Sequence, residues 1–385
     1  MRPADLADSA PGRAVMEHGI WTYDPDPLPP RIEPDHDLVQ QHGDAAYALG
    51  RLHQLDDWFD NPGVILSPMI HREAAESSDL ETITPITIRD LYMEEAGDSV
   101  GRSAKERRDY VEAVNFITAI REGIDRIEQG EAIDTDLLLD LHRTLMSGVR
   151  GEEKRPGALR DDLVGVDVHG TTLDAARFVP MAPAKISYEL DDLLQYIATG
   201  PHFAPLVDVA LIHYQFETIH PFRDGNGRIG RLLMLLVLYQ WKLIPGPFLY
   251  PSAYFKAHRD RYYDLLLAVN REGAWREWIE FVLDAFTRQA KEAYAVAKAL
   301  GGLREQYHER YASAGPVRHE LIDYLIEVPY FSVPQAVAAT GRSQPAVNQA
   351  TNQLWEDGVL QETTGQARNR RFLASDVIRI IDPNA

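Results

Sequence analysis

The sequence contains no cysteine, which excludes disulfides, thiolate nucleophiles and cysteine-ligated zinc sites for this chain. It also has little positive charge: 39 basic residues, only 7 of them lysine, face 59 acidic ones and give a formal net charge of −20. Such a charge disfavours non-specific attraction to nucleic acid and to anionic membranes. Because the absence of disulfides fits a reducing compartment, the sequence predicts a cytoplasmic protein.

Long hydrophobic runs are absent as well. No stretch of about 18 apolar residues occurs that could span a bilayer, and the N-terminal residues lack the apolar region of a signal peptide. The hydrophobic fraction of 45% and the charged fraction of 25% are those of a soluble globular protein. The length of 385 residues allows two domains, or one large domain with an appendage.

The composition divides the chain into an arm, a core and a C-terminal domain. Residues 1–40 are rich in proline and acidic residues, which predicts an extended arm rather than a packed element. Residues 41–304 have apolar residues three and four positions apart, which predicts a mainly α-helical core. Within this core, β-prone runs at Leu163–Val168 and Arg177–Pro180 favour a β-hairpin over about 160–180; an irregular surface loop is the alternative.

Residues 305–385 have a different pattern. Three short helical stretches and then two strands around a basic turn follow one another, which is the order of a winged helix-turn-helix. Such domains commonly bind DNA, but the expected recognition helix carries only one basic residue, Arg342. The expected wing tip adds Arg368, Arg370 and Arg371. Given the net charge, DNA binding is not favoured over dimerisation or recruitment of a target.

The most informative segment is HPFRDGNGRIGR, at residues 220–231. A helix start has unpaired N–H groups and a partial positive charge, so it attracts anions. Gly225 and Gly227 let the backbone approach a phosphate, and Arg228 and Arg231 project from the same end of the predicted helix. The apolar run that follows predicts that this helix is buried. The segment therefore predicts a phosphate-binding turn.

Two further side chains in this segment can take part in chemistry. Asp224 would supply the carboxylate that Mg²⁺ beside phosphates needs, or it would cap the helix. His220 would act as a general base, although a single histidine at the end of an apolar helix is usually structural. Since His, Asp, Asn and two Arg fall within 12 residues, a functional site is favoured over a plain capped turn.

The segment matches the pattern H-x-F-x-[D/E]-G-N-G-R-x-x-R at every specified position, so the sequence resembles the Fic family. The resemblance implies a Fic-type helical core that transfers AMP from ATP to a Ser, Thr or Tyr hydroxyl of a target protein, with Mg²⁺ as cofactor. It implies that His220 is the general base, that Phe222 anchors the loop and that Asp224 holds the metal. It also implies a set of nucleotide-binding residues: Gly225, Asn226, Gly227, Arg228, Ile229, Gly230, Arg231 and Tyr263.

The adenine contact is the least constrained of these assignments. We favour Tyr263 because an aromatic ring stacks on a purine face, and core packing is the alternative for both Tyr262 and Tyr263. A Fic-type transfer from another nucleotide donor stays open. The intact Asn226 and Arg231 favour ATP.

Two other segments resemble parts of the family. The predicted hairpin lies where the family has a flap, on which a target segment docks by strand addition. Residues 71–82 resemble the inhibitory helix [S/T]-x-x-x-E-[G/N], with Ser77 and Glu81 in place and Thr82 instead of Gly or Asn. Glu81 would pair with Arg231 and hold ATP in an unproductive pose; otherwise Glu81 is an ordinary surface carboxylate. Whether the same glutamate assists removal of AMP stays open.

Two functions from different classes follow. The first is a protein adenylyltransferase that is autoinhibited by Glu81, with ATP and a target protein docked at the flap as its partners. The second is a DNA-binding regulator that uses the winged helix and has the Fic core as a nucleotide sensor. The motif favours the first. A homodimer stays open, and no membrane partner is expected.

Overall fold

The computed structural model of this chain describes residues 2–33, 35–55, 63–81, 85–98, 103–149, 155–168 and 172–382. Over these residues the chain forms fifteen α-helices and seven short β-strands, which confirms the predicted mainly α-helical class. None of the described helices is both long and apolar enough to span a bilayer. The chain divides into two compact units. The first comprises Met1–Gly50, Asn115–Ile244 and Pro251–Gln289, and the second comprises Arg51–Val114, Pro245–Tyr250 and Ala290–Ala385.

The first unit contains two β-hairpins and seven of the fifteen described helices. Its strands are β1 (Gly12–Glu17), β2 (Ile20–Pro25), β3 (Val166–Val168) and β4 (Ala176–Phe178). Its helices are α1 (His36–Gly50), α5 (Thr135–Leu145), α6 (Ile186–Ala198), α7 (Pro205–Ile219), α8 (Asn226–Gln240), α9 (Pro251–Ala257) and α10 (Arg259–Glu272). The boundary between the units falls inside the two longest helices, α4 (Ala104–Glu128) and α11 (Trp275–Arg310).

Helices α7 and α8 pack against each other in the core of the first unit. Every side chain of α8 from Arg228 to Leu238 is buried, and α7 is buried over nearly its whole length. Both helices carry mainly apolar residues around their circumference, as helices enclosed by protein do. Gly230 allows their close approach, because a Cβ there would lie 3.0 Å from a ring carbon of the buried Phe216, besides 2.4 Å from the Oε1 atom of the more flexible Glu217.

The hairpin predicted within 160–180 is present. Strands β3 and β4 are antiparallel, with Val166 opposite Phe178 and Val168 opposite Ala176. The hairpin rather than the loop is therefore confirmed.

The extended arm predicted for residues 1–40 is not what the structure shows, because β1 and β2 pair over their whole length. Tyr23 of β2 is fully buried, and its N–H donates to the carbonyl oxygen of Val179, 3.0 Å away. The prolines misled the prediction: Pro11 precedes β1 and Pro25 ends β2, so they flank the strands without interrupting them.

The second unit contains the C-terminal elements together with two helices from the first third of the chain. Its helices are α2 (Gly63–Glu81), α3 (Ile88–Glu95), α12 (Pro316–Glu327), α13 (Val333–Thr340), α14 (Gln344–Glu356) and α15 (Ser375–Ile381). Its strands are β5 (Tyr330–Ser332), β6 (Gln361–Glu362) and β7 (Arg371–Leu373), in the sheet order β5-β7-β6. The predicted three helices and two strands are present in the predicted order, with β5 and α15 in addition.

This division differs from the predicted domains in two places. The expected boundary near residue 305 lies inside α11. Helix α2, which the sequence assigned to the core of residues 41–304, packs on α12 and α15 in the second unit. Periodicity predicts that a helix has an apolar face but not which distant helix covers that face.

Candidate active site

The predicted site is the loop between α7 and α8. His220 is the C-cap residue of α7 and has left-handed backbone angles, φ 51° and ψ 62°. Gly225, the N-cap residue of α8, is also left-handed, with φ 78°. A left-handed conformation costs a residue with a Cβ about 1–2 kcal/mol. Contacts around His220 must therefore hold its backbone in place.

The imidazole of His220 contacts the last turn of its own helix. Its Nδ1 lies 3.3 Å from the carbonyl oxygen of Glu217. Because a carbonyl oxygen only accepts, Nδ1 carries the proton and donates it. A neutral ring in this tautomer has its lone pair on Nε2, as a general base requires.

Phe222 and Asn226 close the loop. Phe222 is fully buried, which suits the anchoring role predicted for it. Its N–H donates to the Oδ1 atom of Asn226, and the Nδ2 of Asn226 donates to the carbonyl oxygen of Phe222, both at 2.8 Å. The amide group of Asn226 is thus committed to the loop. Its contribution to a phosphate site would come from its backbone N–H.

The start of α8 has the features of an anion site. The first N–H groups of a helix have no intrahelical partner, and Gly225 at the cap has no side chain to accept from them. The Gly225 N–H itself donates to the Oδ1 atom of Asp224 at 2.7 Å. A Cβ on Gly225 would lie 3.2 Å from the sulfur of Met146, so the loop packs closely against α5 and the residues after it. The helix dipole adds its partial positive charge here.

Two buried arginines stand beside this helix start. Arg228 is 4% exposed and Arg231 is 1% exposed. The Nη2 atom of Arg228 lies 4.0 Å from the Oδ1 atom of Asp224. Burial, and secondarily the charge of Arg231, lower the pKa of His213 to about 3. Guanidinium groups in such a low-dielectric setting attract an anion more strongly than the same groups in water.

Three of the predicted nucleotide-binding residues differ in exposure. The side chain of Ile229 is fully buried in the core, and Gly230 serves the approach of α7 to α8, so neither offers a side chain to a nucleotide. Gly227 is half-buried in the first turn of α8.

The two tyrosines considered for the adenine contact are also distinguished by exposure. Tyr262 is 1% exposed, and its hydroxyl lies 2.9 Å from the Nε2 atom of His213. Tyr263 is half-buried, and its ring meets that of Tyr262 edge-on at 5.0 Å. Tyr262 is therefore a core residue, while Tyr263 keeps the exposure that a contact with adenine needs.

Asp224 suits a magnesium ion that is shared with phosphates. Its side chain is 46% exposed, and one of its oxygens accepts from the Gly225 N–H. Among the described residues, no group of three or more His, Cys, Asp or Glu could hold a metal ion by itself. Mg²⁺ usually takes one or two carboxylates and completes its shell with water and substrate phosphates. This donor set fits that mode of binding.

Sequence reasoning assigned no chemistry to the segment around His142, yet His142 supports the loop. The Gly157 N–H donates to its Nδ1 atom at 2.9 Å, so its Nε2 carries the proton and donates to the Asp224 carbonyl oxygen at 3.1 Å. The ring stacks on Phe222 with centroids 3.8 Å apart. Burial lowers the pKa of His142 to about 4, which keeps the ring neutral. A histidine among the leucines of α5 was the only signal in the sequence.

The residues predicted to form a brake lie in the second unit. Helix α2 is present and ends at Glu81, whose side chain is exposed, and Ser77 is fully buried. Thr82 lies outside the described residues. The pairing of Glu81 with Arg231 stays a prediction.

Two of the four arginines on which a DNA-binding function would depend form ion pairs within the second unit. Arg342 donates to both carboxylate oxygens of Glu320, at 2.8 and 2.5 Å. Arg371 forms an ion pair with Asp98 at 2.9 Å. These charges are already partly neutralised, and the DNA-binding alternative is not supported.

Comparison with protein families gives two matches. Residues 132–238 match the Fic/DOC family, and residues 39–125 match the Fic/DOC family N-terminal region. Together the two matches cover just over half of the chain, and the first contains the whole loop described above. The chain belongs to the Fic/DOC family.

Several curated proteins resemble this Fic chain over part of their length. A protein adenylyltransferase Fic from Aedes aegypti is 28% identical over 165 residues, which are 42% of this chain and 29% of that protein. One from Nematostella vectensis is 29% identical over 186 residues, 48% of this chain and 38% of that protein. The chain thus spans about a third of the length of the curated relatives it matches.

Solved structures share the Fic fold. A Fic family protein from Desulfovibrio desulfuricans G20 has a TM-score of 0.57 and 21% identity, covering 90% of this chain and 98% of that one. Residues 134–508 of Fic-1 from C. elegans give a TM-score of 0.50 and 18% identity, covering 70% of this chain and 75% of that one. At these identities the likeness shows the fold alone, and it agrees with the predicted fold class.

Proposed function

We propose that this Fic protein is a protein adenylyltransferase, which transfers AMP from ATP to a Ser, Thr or Tyr hydroxyl of a target protein. The observation that carries the proposal is the loop between α7 and α8. It sets His220, with Nδ1 facing the Glu217 carbonyl oxygen, beside the N-terminus of a buried helix. A base and an anion site thus adjoin within a few residues. The adenylyltransferase names of the curated relatives support the same reaction.

The reaction follows from this arrangement. Nε2 of His220 takes the proton of the target hydroxyl while the hydroxyl oxygen bonds to the α-phosphorus. The bond from that phosphorus to the oxygen bridging to the β-phosphate breaks, and pyrophosphate leaves with the electron pair. The first N–H groups of α8, with Arg228 and Arg231, hold the phosphates, so catalysis consists largely of positioning and charge neutralisation.

Asp224 would hold Mg²⁺ jointly with the nucleotide phosphates. When bound, the ion would offset the negative charge of the phosphates beside the helix start. Tyr263 would contact the adenine ring. The target segment would dock on the flap strands β3 and β4, and the C-terminal helices and strands would act as a winged helix that recruits the target in the cytoplasm.

Removal of the base tests the activity directly. We expect His220→Ala to lose at least about 100-fold in transfer of label from [α-³²P]ATP to protein, because general base catalysis typically contributes 10²–10⁴-fold. The matched control is His202→Ala, which replaces an exposed histidine of the same unit. Equal labelling by His220→Ala and wild type would contradict the proposal.

We also propose that Glu81 acts as a brake on this activity. Replacing it with glycine removes the carboxylate that would compete for Arg231, so Glu81→Gly should label itself faster than wild type. Glu356→Gly is the matched control, since Glu356 is likewise an exposed glutamate that ends a helix. If Glu81→Gly labels itself no faster than the control, the proposed inhibitory role of Glu81 is wrong.

A further inference from the structure

Arg160 lies between the active-site loop and the flap of the first unit and is 2% exposed. Its side chain donates four hydrogen bonds, to the carbonyl oxygens of His220 at 2.7 Å, Met181 at 2.8 Å, Asp162 at 2.9 Å and Ile219 at 3.3 Å. Its own backbone N–H donates to the carbonyl oxygen of Pro221 at 2.9 Å. One residue thus contacts three consecutive residues at the end of α7 and the start of the loop.

All of these acceptors are main-chain carbonyls rather than carboxylates. The last carbonyls of a helix have no intrahelical partner and lie at the negative end of its dipole. Those of Ile219 and His220 are at this end of α7. A guanidinium is suited to them, because its planar fork donates in several directions at once from a charge that does not titrate away. Arg160 therefore caps the C-terminus of α7 with its side chain.

The cap acts on the backbone of the proposed base. His220 has φ 51°, and the Nε atom of Arg160 donates to the carbonyl oxygen of this residue. The ring of His220 is oriented separately, by the Glu217 carbonyl oxygen. The two contacts are not redundant, since one fixes the backbone from which the side chain projects and the other fixes the ring.

We propose that Arg160 is the positioning residue of the proposed general base: it holds His220 in its left-handed conformation and ties it to the flap. The connection to the flap consists of the hydrogen bonds from Arg160 to the carbonyl oxygens of Asp162, which precedes β3, and Met181, which follows β4. This connection fixes the position of a target segment docked on the flap relative to the imidazole of His220. This inference rests on the proposed function.

The test separates positioning from folding and from nucleotide binding. Arg160→Met keeps the stem and removes the donors, and Arg160→Lys keeps the charge without the planar fork. For Arg160→Met we expect kcat for AMP transfer to fall about 100-fold, as for a misplacement of about 1 Å. The Kd for ATP should stay within about threefold of wild type. For Arg160→Lys we expect a smaller loss, about tenfold.

Arg155→Asn is the matched control. Arg155 is exposed in the same segment, and asparagine tolerates its φ of 59°. A second measurement does not depend on activity. It follows the NMR resonances of the His220 imidazole, which are identified by subtracting the spectrum of His220→Gln. They should shift in Arg160→Met and not in Arg155→Asn. If Arg160→Met does not fold, Arg160→Lys decides by the same measurements.

A kcat within threefold of wild type, or parallel losses of kcat and ATP affinity, would overturn the positioning role. If wild type transfers no AMP, the proposed function fails by itself. The His220 resonances then decide alone, and unchanged resonances in Arg160→Met would overturn the inference.

Discussion

His213, in the middle of α7, shows at the scale of a single residue how the core constrains protonation. It is fully buried, with Tyr262 and the charge of Arg231 nearby. Burial lowers its pKa to about 3, against an ordinary value of 6.5. The unfolded chain therefore binds this proton more readily than the folded one. The stability due to neutral His213 is complete above pH 6.5 and is lost as the pH falls toward 3.

This gives a pH-dependent prediction. Between pH 7 and pH 5 the single proton should cost wild type about 2 kcal/mol of unfolding free energy. His213→Gln lacks that proton, so its deficit relative to wild type should shrink by about the same amount over this range. Urea denaturation at both pH values measures it, with exposed His36→Gln as control. A deficit that is equal at the two pH values would contradict this account of His213.

The residues of the site differ in how far the sequence predicted them. The segment from His220 to Arg231 was found because its side chains are contiguous and its pattern is specific. Arg160 and His142 were not found, because each acts through hydrogen bonds to backbone carbonyls 60 and 82 positions away. A carbonyl oxygen belongs to every residue, so no residue type signals such a contact in the sequence.

At the scale of elements, the approach of α7 to α8 depends on Gly230. An alanine there would place its Cβ 2.4 Å from the Oε1 atom of Glu217 and 3.0 Å from a ring carbon of Phe216. We expect Gly230→Ala to lower the free energy of unfolding by about 1–3 kcal/mol, as overpacking does. Since these helices carry the active-site loop, AMP transfer should fall as well.

The matched control for Gly230→Ala is Gly302→Ala. Gly302 lies within α11, and a Cβ there would meet nothing within 4 Å. That change should raise the unfolding free energy by up to about 1 kcal/mol, because alanine loses less backbone entropy than glycine in a helix. Urea denaturation compares the two variants, and changes of the same sign would contradict the packing role of Gly230.

The N-terminal hairpin is the largest element that the sequence did not predict. Its turn consists of His18 and Gly19, both with positive φ, at 49° and 87°. Tight hairpin turns require such angles, and Asn-Gly or Asp-Gly is their usual signal. In this turn Gly19 matches the usual signal, but His18 stands where Asn or Asp is expected. The structure shows that pairing of β1 with β2 and burial of Tyr23 outweigh the local composition.

At the scale of the molecule, the second unit joins helices that lie far apart in the chain. Arg72 of α2 is the clearest connection. It forms an ion pair with Glu292, donates to the carbonyl oxygen of Ile381 at 3.1 Å, and lies 4.4 Å over the ring of Tyr250. Sequence periodicity predicted α11, the family resemblance implied the end of α2, and α15 was not predicted, so the sequence contained no information on this junction.

Removing the junction should be costly. We expect Arg72→Ala to lower the free energy of unfolding by about 2 kcal/mol, somewhat less than for a fully buried pair because Glu292 is 41% exposed. Arg288→Ala is the matched control, since Arg288 pairs with Asp284 on the exposed side of α11, and its loss should stay below about 0.5 kcal/mol. Equal losses in urea denaturation would mean that the junction contributes no more than a surface pair.

Because α2 packs on α12 and α15, a partner that binds the C-terminal helices can change the position of the end of α2. A ligand or protein that prefers those helices in another arrangement would shift the population in which Glu81 occupies its present place. Reciprocity then works in the other direction. If Glu81 is the proposed brake, a nucleotide whose productive binding requires α2 to move would change the affinity of the C-terminal helices for their own partner by the same factor. Binding of the nucleotide would thus be measurable as a change in the affinity of the C-terminal helices for their partner.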